Sequence, residues 1–468
     1  MPIATVNPAT GETLETFTPH TAEEVEIALT RASEAFAVHR LTSFDERAAL
    51  LRAAADALES ELEDTARTMT VEMGKPLAQA RGEVAKCVKA MRWYAERAES
   101  LLADEHPKPA DVADSGGVDA YVRYRPLGPV LAVMPWNFPL WQVVRFAAPA
   151  LMAGNTALLK HASNVPQTAL LLEQVFTRAG YRPGCFQTLL IPSSGVDAVI
   201  RDPRVAAVTL TGSEGAGRSV AAVAGDEVKK TVLELGGSDP FLVLPSADVR
   251  RAAEVAVTAR VQNNGQSCIA AKRFIVHREV YQEFADAFTA RMSALRVGDP
   301  LLAETEVGPL ATEQGRDELE ELVQDALRLG AEARCGGRRP ADLPQGWFYE
   351  PTVLAGVTPE MRVHHEECFG PVATLYQVDS LEEAVRLAND TPFGLSSNAW
   401  TQDPEEQRVL VRDLEAGAVF FNGMTASHPA LPFGGVKRSG YGRELSAQGI
   451  REFCNVTTVW HGPAGGRD

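Results

Sequence analysis

Long apolar runs are missing from this chain, and none approaches the ~18 residues that a membrane-crossing helix needs. Residues 1–11 carry neither a basic stretch nor an apolar one, so no secretory signal is expected. Positive charge is in deficit: the formal net charge of −17 argues against nucleic acid or anionic membrane as partners. Cysteine is sparse, with six scattered residues and no CxxC pair, which fits free thiols in a reducing compartment and a cytoplasmic location. Nine histidines supply no metal-ligand set; the pair His364-His365 lacks accompanying ligands, and no metal site is expected. No repeat or low-complexity tract is evident. What remains is ordinary globular composition, 45% apolar and 23% charged, over 468 residues, enough for two or three domains. An acidic protein handling an anionic ligand must concentrate its cations locally, so single Arg and Lys residues in apolar segments are informative.

The first hundred residues read as helices. Thr21-Ala-Glu-Glu24 and Ser43-Phe-Asp-Glu46 have capping-box spacing ahead of amphipathic stretches. Glu59 to Asp64 is a charge run, read as a solvated helix face. Residues 104–117 form a Pro/Asp/Gly-rich connection, and 118–125 alternate as a half-exposed strand. Strand-like runs then follow at 129–134, 156–160, 186–190, 206–210 and 231–235, with helix-length segments between them. That alternation predicts parallel pairing with right-handed crossovers, an α/β doubly wound domain. A second α/β series starts after Gly237, at 240–244, 273–276 and 416–421. The tail 454–460 reads as a lone strand that pairs with 118–125 or with another subunit.

Val261-Gln-Asn-Asn-Gly-Gln-Ser-Cys268 surrounds a cysteine with small and polar residues, which are poor core material. A free cysteine is usually a small core residue, but a polar setting, and a helix beginning nearby, would favour the thiolate and make it a nucleophile. Glu234 ends an apolar strand just before Gly236-Gly237, a place for a buried ion-pair member or a base with raised pKa. Leu210-Thr-Gly-Ser-Glu-Gly-Ala-Gly217 lies at a strand-to-helix junction, where backbone N–H groups can hold a phosphate. Lys160 sits at the carboxyl end of its strand, the edge at which open α/β sheets bind ligands. In Pro135-Trp-Asn-Phe-Pro139, Asn137 is either part of an aromatic turn or an amide donor to an oxyanion.

These segments, with Glu366-Glu-Cys-Phe-Gly-Pro371 and Pro432-Phe-Gly-Gly435, occur in the order and spacing of the aldehyde dehydrogenase superfamily, which the chain resembles over essentially its full length. The resemblance implies a Rossmann-like doubly wound cofactor domain (1–113 and 128–236), an α/β catalytic domain (237–436), and a small β oligomerisation element (114–127 and 437–468). By resemblance Cys268 is the nucleophile, Glu234 the general base and Asn137 an oxyanion donor. Trp136, Lys160, Ser163, Gly212, Ser213, Gly217, Leu235, Glu367 and Phe369 stand where the family contacts its nicotinamide cofactor. Glu234 also implies hydrolysis of the acyl-enzyme to a free acid.

The segments 159–166 and 423–442 look particularly like bacterial succinate-semialdehyde dehydrogenases. Arg145 lies in the otherwise apolar stretch Trp141-Gln-Val-Val-Arg-Phe146, so it needs an anionic partner. That partner is either a protein carboxylate, the default, or the substrate carboxylate, as the resemblance implies. Ser427 and His428 are further donors, and Gln262 stands where some relatives carry a second arginine. Phe146 replaces a lysine common in the family, and no second cysteine lies within two residues of Cys268. Ser163 replaces a glutamate of NAD-preferring relatives, which predicts NADP, with NAD as a slower alternative. Glutarate semialdehyde or an uncharged aldehyde is the rival substrate. A cysteine hydrolase is the rival from another class, but it would need a histidine base. An inactive structural protein on an enzyme fold is disfavoured by the intact trio of Cys268, Glu234 and Asn137. A homodimer or homotetramer is expected.

Overall fold

The computed structural model describes residues 2–463; the end of the expected oligomerisation element, 464–468, lies outside them. Runs rich in Val, Leu and Ala that are buried on both faces suit the interior of parallel sheets, and two such sheets form. The first has six strands in the order Gly440–Tyr441, Lys230–Glu234, Ala207–Thr211, Pro129–Met134, Thr156–His161, Phe186–Thr188. All its pairings are parallel except that of Gly440–Tyr441. The second has seven, ordered Glu332–Cys335, Thr352–Ala355, Val372–Val378, Ala271–His277, Asp239–Val243, Ser397–Trp400, Val419–Phe421, with only the first antiparallel to its neighbour. The chain passes from one sheet to the other through residues 235–238.

Every expected strand is present, with differences at the ends, but the hairpin of Ile3–Val6 with Thr13–Phe17 interrupts the helical start, and Glu332–Cys335, Thr352–Ala355, Val372–Val378 and Ser397–Trp400 lie outside the expected runs. The run 186–190 stops at Thr188 and the run 416–421 begins only at Val419. Both capping boxes form: Thr21 and Ser43 each accept from the N3 backbone while Glu24 and Glu46 reach back, worth about 1 kcal/mol each. The charge run at 59–64 is not one solvated helix face. Helix Phe44–Ser60 ends there, Glu61 intervenes, and Leu62–Met73 begins. Its acids tie neighbouring helices, Glu59 to Arg92, Glu61 to Arg178 and Glu63 to Arg81.

Strand Cys454–His461 pairs antiparallel with Asp119–Pro126 over eight residues, forming a separate two-stranded ribbon. Residues 437–453 do not share it. Gly440–Tyr441 joins the edge of the six-stranded sheet, and Arg443 to Glu452 packs back on that sheet's helices, because Leu445, Ile450 and Phe453 belong to its core.

Helix Trp141–Ala153 is buried along its whole length beneath that sheet. It contains Pro149, whose nitrogen cannot donate to the carbonyl of Arg145 one turn earlier. The second sheet is backed by an aromatic group: Phe274 lies 5.3 Å from Phe241 and 4.6 Å from Phe288, centroid to centroid. Phe274 is fully buried. Phe274→Ala is therefore expected to lower the stability to urea by roughly 3–5 kcal/mol; a loss under 1 kcal/mol would show that this cluster can collapse around the cavity.

Candidate active site

The two sheets bring opposite ends together. From the six-stranded sheet come residues at or just after the carboxyl ends of its strands: Asn137, Gly212 and Glu234. From the seven-stranded sheet come residues that precede its central strands: Gly236 and Gly237 before Asp239, and Cys268 before Ala271. A cavity of about 340 Å³ at this junction is lined by Trp136, Asn137, Gln142, Ser213, Cys268 and Glu367, among others.

The loop that carries Cys268 is held by buried amides. Asn263 and Asn264 adopt φ of 55° and 58°, a left-handed pair that asparagine tolerates better than most residues. Asn263 Nδ2 donates to Asn137 O at 2.6 Å and to Gln266 O at 3.0 Å. Asn264 Nδ2 donates to Gly74 O and Pro309 O, while its Oδ1 accepts from Gly308 N–H. Gly265, at φ 75°, leaves no room for a side chain: a Cβ would lie 2.3 Å from Gly370. Lys272 Nζ donates to the carbonyls of Ser267 and Cys268 at 2.8 and 2.7 Å. Asn137 Nδ2 donates to Gln266 O at 3.1 Å, leaving its second hydrogen available. Among the described residues, the Cys268 backbone N–H has no acceptor.

No helix begins at Cys268. A short 3₁₀ turn, Gln262–Gly265, precedes it and strand Ala271–His277 follows. The expected help from a helix dipole is therefore absent. Burial instead pushes the Cys268 thiol up to about 12, opposed by the charges of Lys272 and Arg145.

Glu234 is fully interior, and among the described residues neither of its oxygens has a hydrogen-bond partner. Burial, then the neighbouring Glu444, raises its pKa well above the carboxylate range; Arg145 and Arg443 pull the other way. One oxygen sits where a Cβ on Gly434 would be, at 2.7 Å. Glu444 is likewise raised by burial and lowered chiefly by Arg145. The fold thus favours both carboxyls protonated, and their ionisation costs stability as pH rises from their ordinary values upward.

Of the two partners open to Arg145, the structure supplies the protein carboxylate. Its Nε contacts Glu444, its Nη2 lies 3.3 Å from Thr211 Oγ1, and its guanidinium stacks 4.6 Å over Phe433. This contact leaves open the expectation that Arg145 also meets the substrate carboxylate. Glu444 gave no signal in the sequence, lying in a segment, 437–468, assigned to oligomerisation.

Lys160, Ser163, Ser213 and Trp136 line a second cavity of about 1080 Å³, which shares Trp136, Ser213 and Glu318 with the first. Lys160 is buried, has no partner among the described residues, and has its pKa lowered by that burial. An unpaired buried ammonium beside an extended polar cavity is a donor set that fits a phosphorylated nucleotide. Ser213 caps helix Glu214–Asp226 by accepting from Ala216 N–H. Phe369 meets Trp136 edge to face at 5.7 Å, and Leu235 and Gly212 line the smaller cavity. Glu367 is held by Lys272 at 3.1 Å and accepts from Gly237 N–H. Gly217 lines neither cavity. A Cβ there would strike Leu235 at 2.6 Å, so the missing side chain lets this helix pack on Leu235.

Gln262 and His428 line neither cavity; His428 is exposed and its Nδ1 accepts from Ala430 N–H. Ser427 accepts from Lys86 Nζ at 2.6 Å. Lys86 had no distinguishing motif, sitting in an alanine-rich helix. His364 bonds Tyr376 and Asp390, and no histidine lines the cavity at Cys268, which leaves a cysteine hydrolase without its base. Iodoacetamide labelling of Cys268, followed by mass spectrometry of its peptide, is expected to accelerate about tenfold per pH unit from 7 to 10. A plateau below pH 9 would mean that the free protein already holds the thiolate.

The sequence profile described as the aldehyde dehydrogenase family matches residues 1–459. Succinate-semialdehyde dehydrogenase (NADP+) 1 of Mycobacterium bovis (strain BCG / Pasteur 1173P2) is 63% identical over 98% of this chain and 100% of its own. The succinate-semialdehyde dehydrogenase (NADP+) of Mycobacterium leprae (strain TN) is 61% identical over the same shares. Among solved structures, succinic semialdehyde dehydrogenase from Streptococcus pyogenes in complex with NADP+ superposes with a TM-score of 0.94. It is 37% identical, over 98% of this chain and 100% of that one. Sequence and fold agree over nearly the whole length, and the chain belongs to the aldehyde dehydrogenase family.

Proposed function

We propose that this chain oxidises succinate semialdehyde to succinate with NADP+, through a thioester on Cys268. The observation that carries the reading is the nearly full-length identity of 63% with mycobacterial enzymes of that activity. The six-stranded sheet is assigned to the cofactor and the seven-stranded sheet to the nucleophile, with the boundary at residues 235–238.

In this reading Cys268 Sγ, once deprotonated, adds to the aldehyde carbon. Lys272 and Arg145 favour that deprotonation, since both lower the thiol's pKa. The alkoxide so formed receives the free hydrogen of Asn137 Nδ2 and the Cys268 backbone N–H, two donors held in place before reaction. NADP+ when bound supplies the hydride acceptor, and the thiohemiacetal on Cys268 becomes a thioester. Glu234 then takes a proton from water as the water oxygen attacks the thioester carbon, and the thiolate leaves. A carboxyl whose pKa is raised is a stronger base once ionised, and Arg145 sets how much of it is ionised. Glu234→Gln is expected to release about one equivalent of NADPH in a burst and then turn over at least roughly a hundredfold more slowly. Loss of the burst itself would place Glu234 before the thioester, against this assignment.

Ser163 and Lys160 favour NADP+. Both line the larger cavity, whose carboxylates, Glu313, Asp317, Glu318 and Glu321, all stand on helix Glu313–Arg328. Ser163→Glu is expected to lower kcat/KM for NADP+ by roughly tenfold or more while sparing NAD+; equal losses with both would remove Ser163 from nucleotide choice.

The two-stranded ribbon exposes Val118, Val456 and Trp460, at 70%, 60% and 49%. A lone ribbon of this kind is marginal in water, so a second copy of the chain is assigned to cover it, in the cytoplasm. Sedimentation at a multiple of 50.4 kDa is the expected result; a monomer would exclude it.

A further inference from the structure

Lys272 stands near the start of strand Ala271–His277, one short turn after the nucleophile, and is 2% exposed. All three hydrogens of its ammonium have acceptors. Two go to the carbonyls of Ser267 and Cys268, at 2.8 and 2.7 Å, and the third to Glu367 Oε1 at 3.1 Å. Glu367 in turn accepts from Gly237 N–H at 3.2 Å, in the segment that leaves Glu234 and crosses between the sheets. Gly236 gives the carboxylate its room, since a Cβ there would lie 2.6 Å from Oε2. One ammonium therefore joins the nucleophile loop to the crossing segment through a single carboxylate.

The two members of this pair face different ways. Glu367 lines the smaller cavity together with Cys268, whereas Lys272 lines neither cavity. A ligand at the junction meets the carboxylate and not the lysine. A carboxylate held by one ammonium and one N–H keeps lone pairs for the hydroxyls of a ligand. The other charged groups around the pair are committed elsewhere. Asp239 Oδ1 accepts from Ser396 N–H, Arg260 Nη2 donates to Gly265 O, and Arg273 donates to the carbonyls of Ser238, Leu387 and Ala388. Toward the thiol the pair acts with opposite signs. Burial is the largest influence on Cys268 and raises its pKa; Lys272 is the first charge that lowers it, and Glu367 raises it. We propose that Lys272 is a positioning residue for both halves of the site: through Glu367 it fixes a cofactor contact, and through two carbonyls it fixes the nucleophile loop, with Glu367 tempering its field at the thiol. The first half of this role rests on the cofactor reading of Glu367, and the second does not.

Lys272→Met, Glu367→Gln and the double variant are compared with wild type as purified full chains. Affinities for NADP+ and NAD+ are read from quenching of tryptophan fluorescence, with Trp136 in the cavity as reporter. The rate of Cys268 alkylation by iodoacetamide is read separately, without nucleotide, at one fixed pH. Each single variant is expected to weaken both nucleotides about tenfold. The double variant should fall no more than about threefold below the weaker single, because Lys272 acts on the nucleotide through Glu367. Alkylation should move in opposite directions, about threefold or more slower in Lys272→Met and about threefold or more faster in Glu367→Gln. Nucleotide losses that multiply in the double variant overturn the cofactor half of the role. Alkylation rates that shift the same way in both singles overturn the thiol half, and mark Lys272 as a brace for the loop alone. A wild type that binds neither nucleotide defeats the cofactor reading itself, and the alkylation rates then decide the thiol half by themselves. Should Lys272→Met fold poorly, Glu367→Gln carries the test: alkylation no faster than in wild type overturns the tempering of the thiol by this pair.

Discussion

One guanidinium among buried carboxyls governs this site. Arg145 contacts Glu444 directly and lowers the pKa of Glu234, and it also lowers that of the Cys268 thiol. Burial raises the pKa of Cys268, Glu234 and Glu444, and so favours the neutral forms of the nucleophile and the base. Catalysis then requires that binding change the balance. Ligands that exclude water strengthen the attraction between Arg145 and any negative charge on Cys268 or Glu234. The helix that presents Arg145 is buried along its entire length, so the charge is placed by packing and cannot easily be moved.

The Cys268 loop supports this arrangement mechanically. Its turns use φ values near 55° at two consecutive asparagines, and the strain is offset by side-chain amides that reach Gly74, Pro309, Asn137 and Gln266. These contacts span elements from both sheets, so the thiol's position depends on how the sheets meet. Asn137 takes part twice, through its carbonyl and through its amide. The donor assigned to the oxyanion is therefore held by the same loop that carries the nucleophile.

Much of this was legible in the sequence because it lies in local chemistry. Residues unsuited to a core around Cys268, a carboxylate before two glycines, and regular alternation of strand and helix all announce themselves within a few positions. The ribbon of Asp119–Pro126 with Cys454–His461 follows the expected pattern, while only three of the seven strands of the second sheet were read from sequence. What was hidden depends on tertiary contacts between distant segments. Glu444 meets Arg145 across 299 positions of chain, and Ser427 meets Lys86 across 341. Gly217 carries the spacing of a phosphate turn, and its lack of a side chain also seats its helix on Leu235, which the spacing does not reveal. The dipole expected to activate Cys268 failed for a similar reason: polar residues before a cysteine do not say whether a helix or a strand comes next.

The lysines show how far a charge inventory can be taken once contacts are known. Of those that are buried or partly buried, Lys75 meets Glu83, Lys272 meets Glu367, and Lys229 bonds two carbonyls. Lys160 and Lys86 have neither a carboxylate nor a carbonyl among the described residues. In a chain with net charge −17, carboxylates are abundant, so leaving a sequestered ammonium without one is a costly exception. Lys160 falls at the larger cavity, and Lys86 lies against the Trp141 ring and Ser427. A protein carboxylate paired with Lys160 would compete with a phosphorylated nucleotide for the cation, and would also repel the ligand's own charge.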